Sequence, residues 1–186
     1  EAGAFEDLEI TDVTFDSRLI SKGSLFCCVP GAKDDGHLHA REAVEAGASA
    51  VLVDHRVDVS ATQLVVRDVR AAMAKVSAAC FGHPADDLLV IGVTGTNGKT
   101  TTTWMLQNIF TAARRCVEVL GTLSGARTTP ESPDLQRQLA QWRDEGVDVV
   151  AMEVSSHAID QHRVDAMKFR VAVFTNLSRD HLDYHG

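Results

Sequence analysis

Six consecutive residues, Gly95-Thr96-Asn97-Gly98-Lys99-Thr100, carry the strongest chemical signal in the sequence. Two glycines let the backbone turn tightly enough for several N–H groups to face one anion, and a helix starting there adds the positive end of its dipole. Lys99 is placed to reach terminal phosphates, and the Thr100 hydroxyl to ligate Mg²⁺. A strict Walker pattern needs glycine five residues before Gly98; Val93 stands there, with Gly92 and Gly95 flanking it. An incidental lysine in a glycine-rich connector would not explain a strand before, a helix after and the Gly-Lys-Thr order together, so nucleotide binding is expected. The loop alone does not choose between a kinase, a GTPase and a ligase.

Two polar segments follow buried-looking runs. Glu153 ends the apolar stretch Val149 to Met152, where open parallel sheets place ligand groups, and a carboxylate facing a phosphate loop suits Mg²⁺. The plain alternative is an exposed strand-end carboxylate. Val171 to Phe174 leads into Thr175 to His185, dense in polar and ionisable groups. There His181, flanked by Asp180 and Asp183, is a candidate for a second metal or phosphate contact, while His185 reads as a solvated histidine.

The elements that must hold these groups are legible from periodicity and breakers. Strands are expected at Leu25 to Val29, Ala50 to Val53 and Leu64 to Val66, with a helix from about Leu38 to Ala46 stopped by Gly47. A second helix, Arg70 to Phe81, is broken by Gly82, His83 and Pro84, which mark a domain boundary. Leu88 to Val93 then reads as a strand covered on both faces. Thr100 to Ala113 reads as a helix with Trp104, Leu106, Ile109 and Phe110 supplying its apolar surface. Ser132 and Pro133 look like an N-cap and first-turn pair for a helix carrying Leu135, Leu139 and Trp142 to Gly146. Strands at Val149 to Glu153 and Val171 to Phe174 complete an alternating α/β pattern, hence parallel sheet.

Composition narrows the classes. A net charge of −8 without a basic cluster argues against nucleic acid. No apolar run approaches the ~20 residues of a membrane span. Cys27, Cys28, Cys80 and Cys116 show no metal-ligand spacing and read as small buried hydrophobes, which fits a reducing, cytoplasmic setting. The chain begins at Glu1 rather than Met and stops at Gly186 soon after a strand, so an incomplete sequence is expected.

Three segments carry a family resemblance. GVTGTNGKTTT at Gly92 to Thr102, EVSSHAIDQHRV at Glu153 to Val164 and FTNLSRDHLDYHG at Phe174 to Gly186 resemble signatures of the Mur ligases, the latter two of the MurE type. TFDSR at Thr14 to Arg18 and LFCCVPGAKDDG at Leu25 to Gly36 are similar to that family's N-terminal domain. The resemblance runs through the whole chain in order.

It implies a small N-terminal α/β domain, residues 1–86, binding the uridine diphosphate end of UDP-N-acetylmuramoyl-L-alanyl-D-glutamate through Phe15, Ser17 and the loop Ala32, Lys33, Asp34. A P-loop parallel-sheet ATPase domain, residues 87–186, would be truncated and the C-terminal domain absent. ATP would be held by Gly95, Thr96, Asn97, Gly98, Lys99, Thr100 and Thr101, and Mg²⁺ by Thr100, Glu153 and His181. Thr128, Thr129, Ser155, Gln161 and Arg163 would contact the muramoyl-dipeptide. The family commonly has Asn before Thr128, where this chain has Arg127.

The implied reaction adds a third amino acid, meso-diaminopimelate or L-lysine, through an acyl phosphate, with Lys99, Glu153 and His181 as its catalytic groups and no side-chain nucleophile. The 186 residues alone would then show little or no turnover and bind ATP weakly at best. The alternatives are another Mur ligase, a folylpolyglutamate synthase or cyanophycin synthetase relative, and a non-catalytic module that binds the UDP-muramoyl peptide.

Overall fold

A computed structural model describes residues 8–31, 34–123, 127–179 and 184. The chain divides into two compact units, Glu1–Cys80 and Phe81–Gly186.

The first unit is built on a four-stranded parallel sheet in the order β1 (Asp12–Thr14), β2 (Ser24–Cys27), β3 (Ala50–Val53), β4 (Thr62–Val65). Side chains alternate across a strand. Leu25 and Cys27 therefore join Val13, Leu52 and Met73 on the face covered by α2 (Val69–Cys80), while Phe26 and Cys28 join Ala40, Ala43, Val51 and Val53 on the face covered by α1 (Ala40–Glu45). The helix expected from Leu38 starts instead as a 3-10 turn, Gly36–His39, because the Asp35 carboxylate accepts the His37 amide and caps it. Strand β1 is too short to show a periodicity and went unread.

The second unit carries a parallel sheet in the order β6 (Val117–Leu120), β7 (Val149–Glu153), β5 (Leu89–Thr94), β8 (Val171–Phe174). Between these strands lie α3 (Lys99–Ala112), α4 (Ser132–Asp144) and the short α5 (Ser156–Asp160). One face of the sheet buries Val90, Leu120, Val150 and Met152 against Leu135 and Leu139 of α4. Each such side chain contributes about 1.5–3 kcal/mol when fully buried. The other face receives α3, which packs on β5, β6 and β7.

Three expectations are corrected. Trp104 and Ile109 are exposed, Leu106 and Phe110 are half-buried, and the one fully buried residue of α3 is Thr103, a small polar side chain. Glu131, not Ser132, is the N-cap of α4, with Ser132 and Pro133 already inside the first turn. Cys27 and Cys28 are buried as expected, and burial pushes the Cys27 thiol up, but Cys116 is exposed at the entry to β6.

Candidate functional site

Because all four strands of the second sheet run parallel, their C-terminal ends share one edge. Strand β5 lies between β7 and β8, so the chain leaves β5 towards one side of the sheet and later returns on the other. Crevices at such reversals are where open α/β sheets bind ligands. Four connections converge on this edge: residues 95–98 after β5, 121–122 after β6, 154–155 after β7 and 175–178 after β8.

The loop after β5 is held open by its glycines and clasped from the side. Gly95 and Gly98 adopt φ of 129° and 87°, conformations that cost most other residues strain. Val93, which breaks the strict Walker spacing, is fully buried in β5, so the turn starts later, at Gly95. The segment after β8 supports it. The Thr175 hydroxyl donates to the Asn97 carbonyl at 2.7 Å, the Asn176 side chain accepts the Asn97 amide at 3.1 Å and returns a bond to its carbonyl at 3.0 Å, and Thr96 Oγ1 exchanges bonds with the Ser178 backbone. Helix α3 begins directly at Lys99 with Gly98 as its cap, which leaves the first-turn amides directed out of the helix start. Lys99 Nζ folds over the loop, donating to the carbonyls of Gly95 at 2.6 Å and Thr96 at 3.0 Å. Thr101 is exposed in the same first turn.

Glu153 joins this loop to its neighbours. Alternation along β7 places Val149, Ala151 and Glu153 on one face, the face that receives α3, and the carboxylate is 1 % exposed. The exposed strand-end alternative is therefore excluded. Three donors stabilise it: Thr100 Oγ1 at 2.9 Å and the Thr122 amide at 3.0 Å on Oε1, and Thr122 Oγ1 at 3.2 Å on Oε2. A buried carboxylate without such donors would cost several kcal/mol. Gly121 makes the arrangement possible, since a Cβ there would lie 2.7 Å from the Glu153 carboxyl carbon. Thr100, Thr122 and Glu153 thus gather hydroxyl and carboxylate oxygens beside a phosphate-type loop, the donor set a hard divalent cation takes.

A second polar cluster continues from the Glu153 backbone. Thr129, 1 % exposed, donates to the Glu153 carbonyl at 2.9 Å and accepts the Ser155 amide at 3.1 Å. Arg163 Nη1 donates to the Thr129 carbonyl at 2.8 Å, and Nη2 reaches Gln161 Oε1 at 2.6 Å and Glu131 Oε1 at 3.0 Å. Glu131 also accepts from Arg127 at 3.3 Å, so one nearly buried carboxylate bridges two guanidiniums. Thr128 Oγ1 meets Thr122 Oγ1 at 3.1 Å. Ser155 caps α5 through its hydroxyl, which accepts the Ala158 amide at 3.2 Å.

The structure brings Thr100, Glu153, Thr128, Thr129, Ser155, Gln161 and Arg163 into this linked network, while Lys99 donates to carbonyls of the phosphate loop. Asp180, His181, Asp183 and His185 lie outside the described residues, as do Ala32 and Lys33. Three members have no role of their own in the sequence reading, although Tyr184 lies in its polar run Thr175 to His185. Thr122 and Tyr184, whose hydroxyl accepts from Gln161 at 3.1 Å and donates to Asp160 at 2.7 Å, join through contacts distant in sequence. The third, Glu131, had a local signal, an acidic residue between Pro130 and Ser132 at a helix start.

In the first unit Ser17 and Asp34 are linked indirectly. Ser17 Oγ lies 3.5 Å from Glu42 Oε2, which lies 3.5 Å from His39 Nδ1, and His39 Nε2 meets Asp34 Oδ2 at 2.9 Å. The Asp34 carboxylate holds the His39 imidazole above its ordinary range. Phe15 is not part of that chain: its ring packs on the α2-covered core.

Two family profiles match the chain, one described as Mur ligase family, catalytic domain, over residues 9–86, the other as Mur ligase middle domain, over residues 93–186. Among curated relatives, the UDP-N-acetylmuramoyl-L-alanyl-D-glutamate--2,6-diaminopimelate ligase of Geobacter metallireducens is 46 % identical over 100 % of this chain and 38 % of its own length. The ligase of the same name from Bacillus licheniformis is 42 % identical over 97 % and 39 %. A solved structure of a ligase bearing that name superposes with a TM-score of 0.83 at 30 % identity, over 95 % of this chain and 38 % of that one. MurF from Acinetobacter baumannii follows at 0.69 and 26 %, again over 95 % and 38 %. The chain spans about two-fifths of the length of the relatives it matches.

Proposed function

The chain belongs to the Mur ligase family, and from that premise we propose that its residues supply the ATP and precursor sites of a ligase joining 2,6-diaminopimelate to UDP-N-acetylmuramoyl-L-alanyl-D-glutamate. The observation that carries the reading is the bond from Thr100 Oγ1 to Glu153 Oε1, which ties the phosphate loop to a buried carboxylate on the neighbouring strand. The amine is taken from the name shared by relatives at 42 % and 46 % identity.

In the proposed reaction the glutamyl carboxylate attacks the γ-phosphorus of ATP, ADP departs, and the acyl phosphate loses inorganic phosphate when the amine attacks its carbonyl carbon. The residues Gly95 to Thr101 cradle the triphosphate, with the first-turn amides of α3 facing it. Lys99 exchanges the Gly95 and Thr96 carbonyls for phosphate oxygens, and so meets the negative charge that builds up in transfer. No side-chain nucleophile is needed; positioning and charge compensation carry phosphoryl transfer.

Mg²⁺ fits the oxygen set of Thr100 and Glu153, and when bound it would neutralise phosphate charge; His181 is proposed as a further ligand. Thr128, Thr129, Ser155, Gln161 and Arg163 would hold the muramoyl-dipeptide, Arg163 pairing with a peptide carboxylate. Phe15, Ser17 and residues 32–34 would hold the uridine diphosphate. Among the described residues no helix is long and apolar enough to cross a membrane, and a cytoplasmic setting is part of the proposal.

The direct test is calorimetry of the chain with ADP and Mg²⁺, then with the UDP-muramoyl-dipeptide. Wild type should bind both, Lys99→Ala should lose ADP by at least about tenfold, roughly 1.4 kcal/mol, and precursor binding should survive. Equal ADP affinity in wild type and Lys99→Ala would overturn the phosphate-loop assignment. Loss of precursor binding on Arg163→Ala, with ADP binding intact, would support the second cluster as the peptide site.

A further inference from the structure

The first unit contains a group of side chains that the ligase reading does not use. His37, at the start of the 3-10 turn before α1, and Asp54 and His55, directly after β3, offer nitrogen and carboxylate atoms that all lie within 4.8 Å of one another. We propose that they form a site for a borderline divalent cation of the Zn²⁺ or Ni²⁺ class, with Asp35 as the group that orients its buried histidine.

The argument begins with His37. Its side chain is only 5 % exposed, and its Nδ1 meets Asp35 Oδ1 at 2.6 Å. Asp35 is itself pinned, because the same oxygen accepts the His37 amide at 3.0 Å. With Nδ1–H donated to Asp35, the lone pair of Nε2 points the other way. A carboxylate that fixes the tautomer and direction of an imidazole is the recurring support of metal-binding histidines.

What Nε2 faces is the second observation. Asp54 Oδ1 lies 3.2 Å from it, and the Asp54 amide reaches it only weakly, at 3.4 Å. A lone pair opposite a carboxylate oxygen is repulsive unless a cation, a proton or a metal ion, stands between or beside them. The same Asp54 oxygen meets His55 Nδ1, and the two imidazoles stack with centroids 4.3 Å apart. Two nitrogens and one carboxylate suit Zn²⁺ or Ni²⁺, and not Mg²⁺, which takes oxygens.

The third observation is mechanical. Tetrahedral bonds of about 2.0–2.1 Å require ligand atoms roughly 3.3 Å apart; His37 Nε2 and Asp54 Oδ1 already meet this at 3.2 Å, whereas His55 Nδ1, at 2.5 Å from the same oxygen, must shift. It is free to do so, being 64 % exposed, whereas His37 is locked, and Asp54, 35 % exposed, is intermediate. One fixed ligand and two adjustable ones, open to a groove of about 410 Å³ lined by His37, His55 and Arg56, give an ion an entry path. Bound there, it would tie the turn before α1 to the end of β3.

Calorimetric titration of the untagged chain with ZnCl₂ tests the site, with MgCl₂ as the control. One equivalent of Zn²⁺ should bind and Mg²⁺ should not compete for it. His55→Ala, at an exposed position, should leave the far-ultraviolet spectrum unchanged and weaken Zn²⁺ binding at least tenfold, and Asp35→Asn should weaken it by about 10–100-fold. Wild type and His55→Ala with Zn²⁺ affinities within a factor of two would overturn the proposal, as would no binding up to about 100 µM, roughly 5.5 kcal/mol. Neither result bears on the phosphate-loop assignment, which rests on residues of the second unit.

Discussion

The two units place their polar groups differently against the same kind of sheet. In the second, Glu153 and Thr129 are each 1 % exposed and every bond between them and their partners is part of a shared network. In the first, apart from the buried His37 with Asp35 and Asp54, charged groups make pairs at the surface: Asp16 with Arg18, Asp34 with His39, Arg41 with Asp58. Burial multiplies what a lost hydrogen bond costs, because water cannot replace the partner. Solvated pairs contribute little, so their loops can rearrange around a ligand cheaply. In the proposed assignment the network belongs to a site whose geometry must precede the ligand, the surface pairs to one that can adjust to it.

Glu153→Ala should break the comparison most severely. It leaves a cavity where a fully buried side chain stood and takes the acceptor from the half-buried Thr100 hydroxyl and from Thr122 at the surface, and should cost about 3 kcal/mol of stability in denaturant unfolding. A loss below about 1 kcal/mol would mean that water enters and the network is not rigid. Thr129→Val keeps the side chain's shape but orphans the Ser155 amide and the Glu153 carbonyl, so about 2 kcal/mol is expected. The same chemical melt read for both units should locate that loss in the second unit alone.

The smallest effect belongs to His39. Its pKa is raised above 6.5 by Asp34, so the pair's contribution is fully present below the unfolded pKa and is lost as pH rises through the folded value. NMR titration should find the His39 midpoint above 6.5 and Asp34→Asn should lower it. Global stability should barely change across that window, since the pair is solvated. An unmoved midpoint would remove Asp34 as the cause.

Much of the site was legible because its signals are local. A glycine-rich turn between a buried strand and a helix announces itself within ten residues, and Val149 to Glu153 shows both burial and a terminal carboxylate. Strand β6 was missed: Val117 to Leu120 is four residues long with a glutamate inside, too short for alternation to stand out. Trp104 and Ile109 were misplaced because a helical period says which residues share a face, not whether another element covers that face.

The order and types of the main elements, the phosphate loop and the choice of Glu153 follow from the sequence by itself, since they depend on backbone propensity and on spacing along the chain. Only the tertiary structure decided that β7 pairs between β5 and β6, that Gly121 yields room for the Glu153 carboxylate, and that Glu131 bridges Arg127 and Arg163. The reason is physical: strand order and side-chain pairing are set by which surfaces bury each other best, a property of the packed chain that no local window contains.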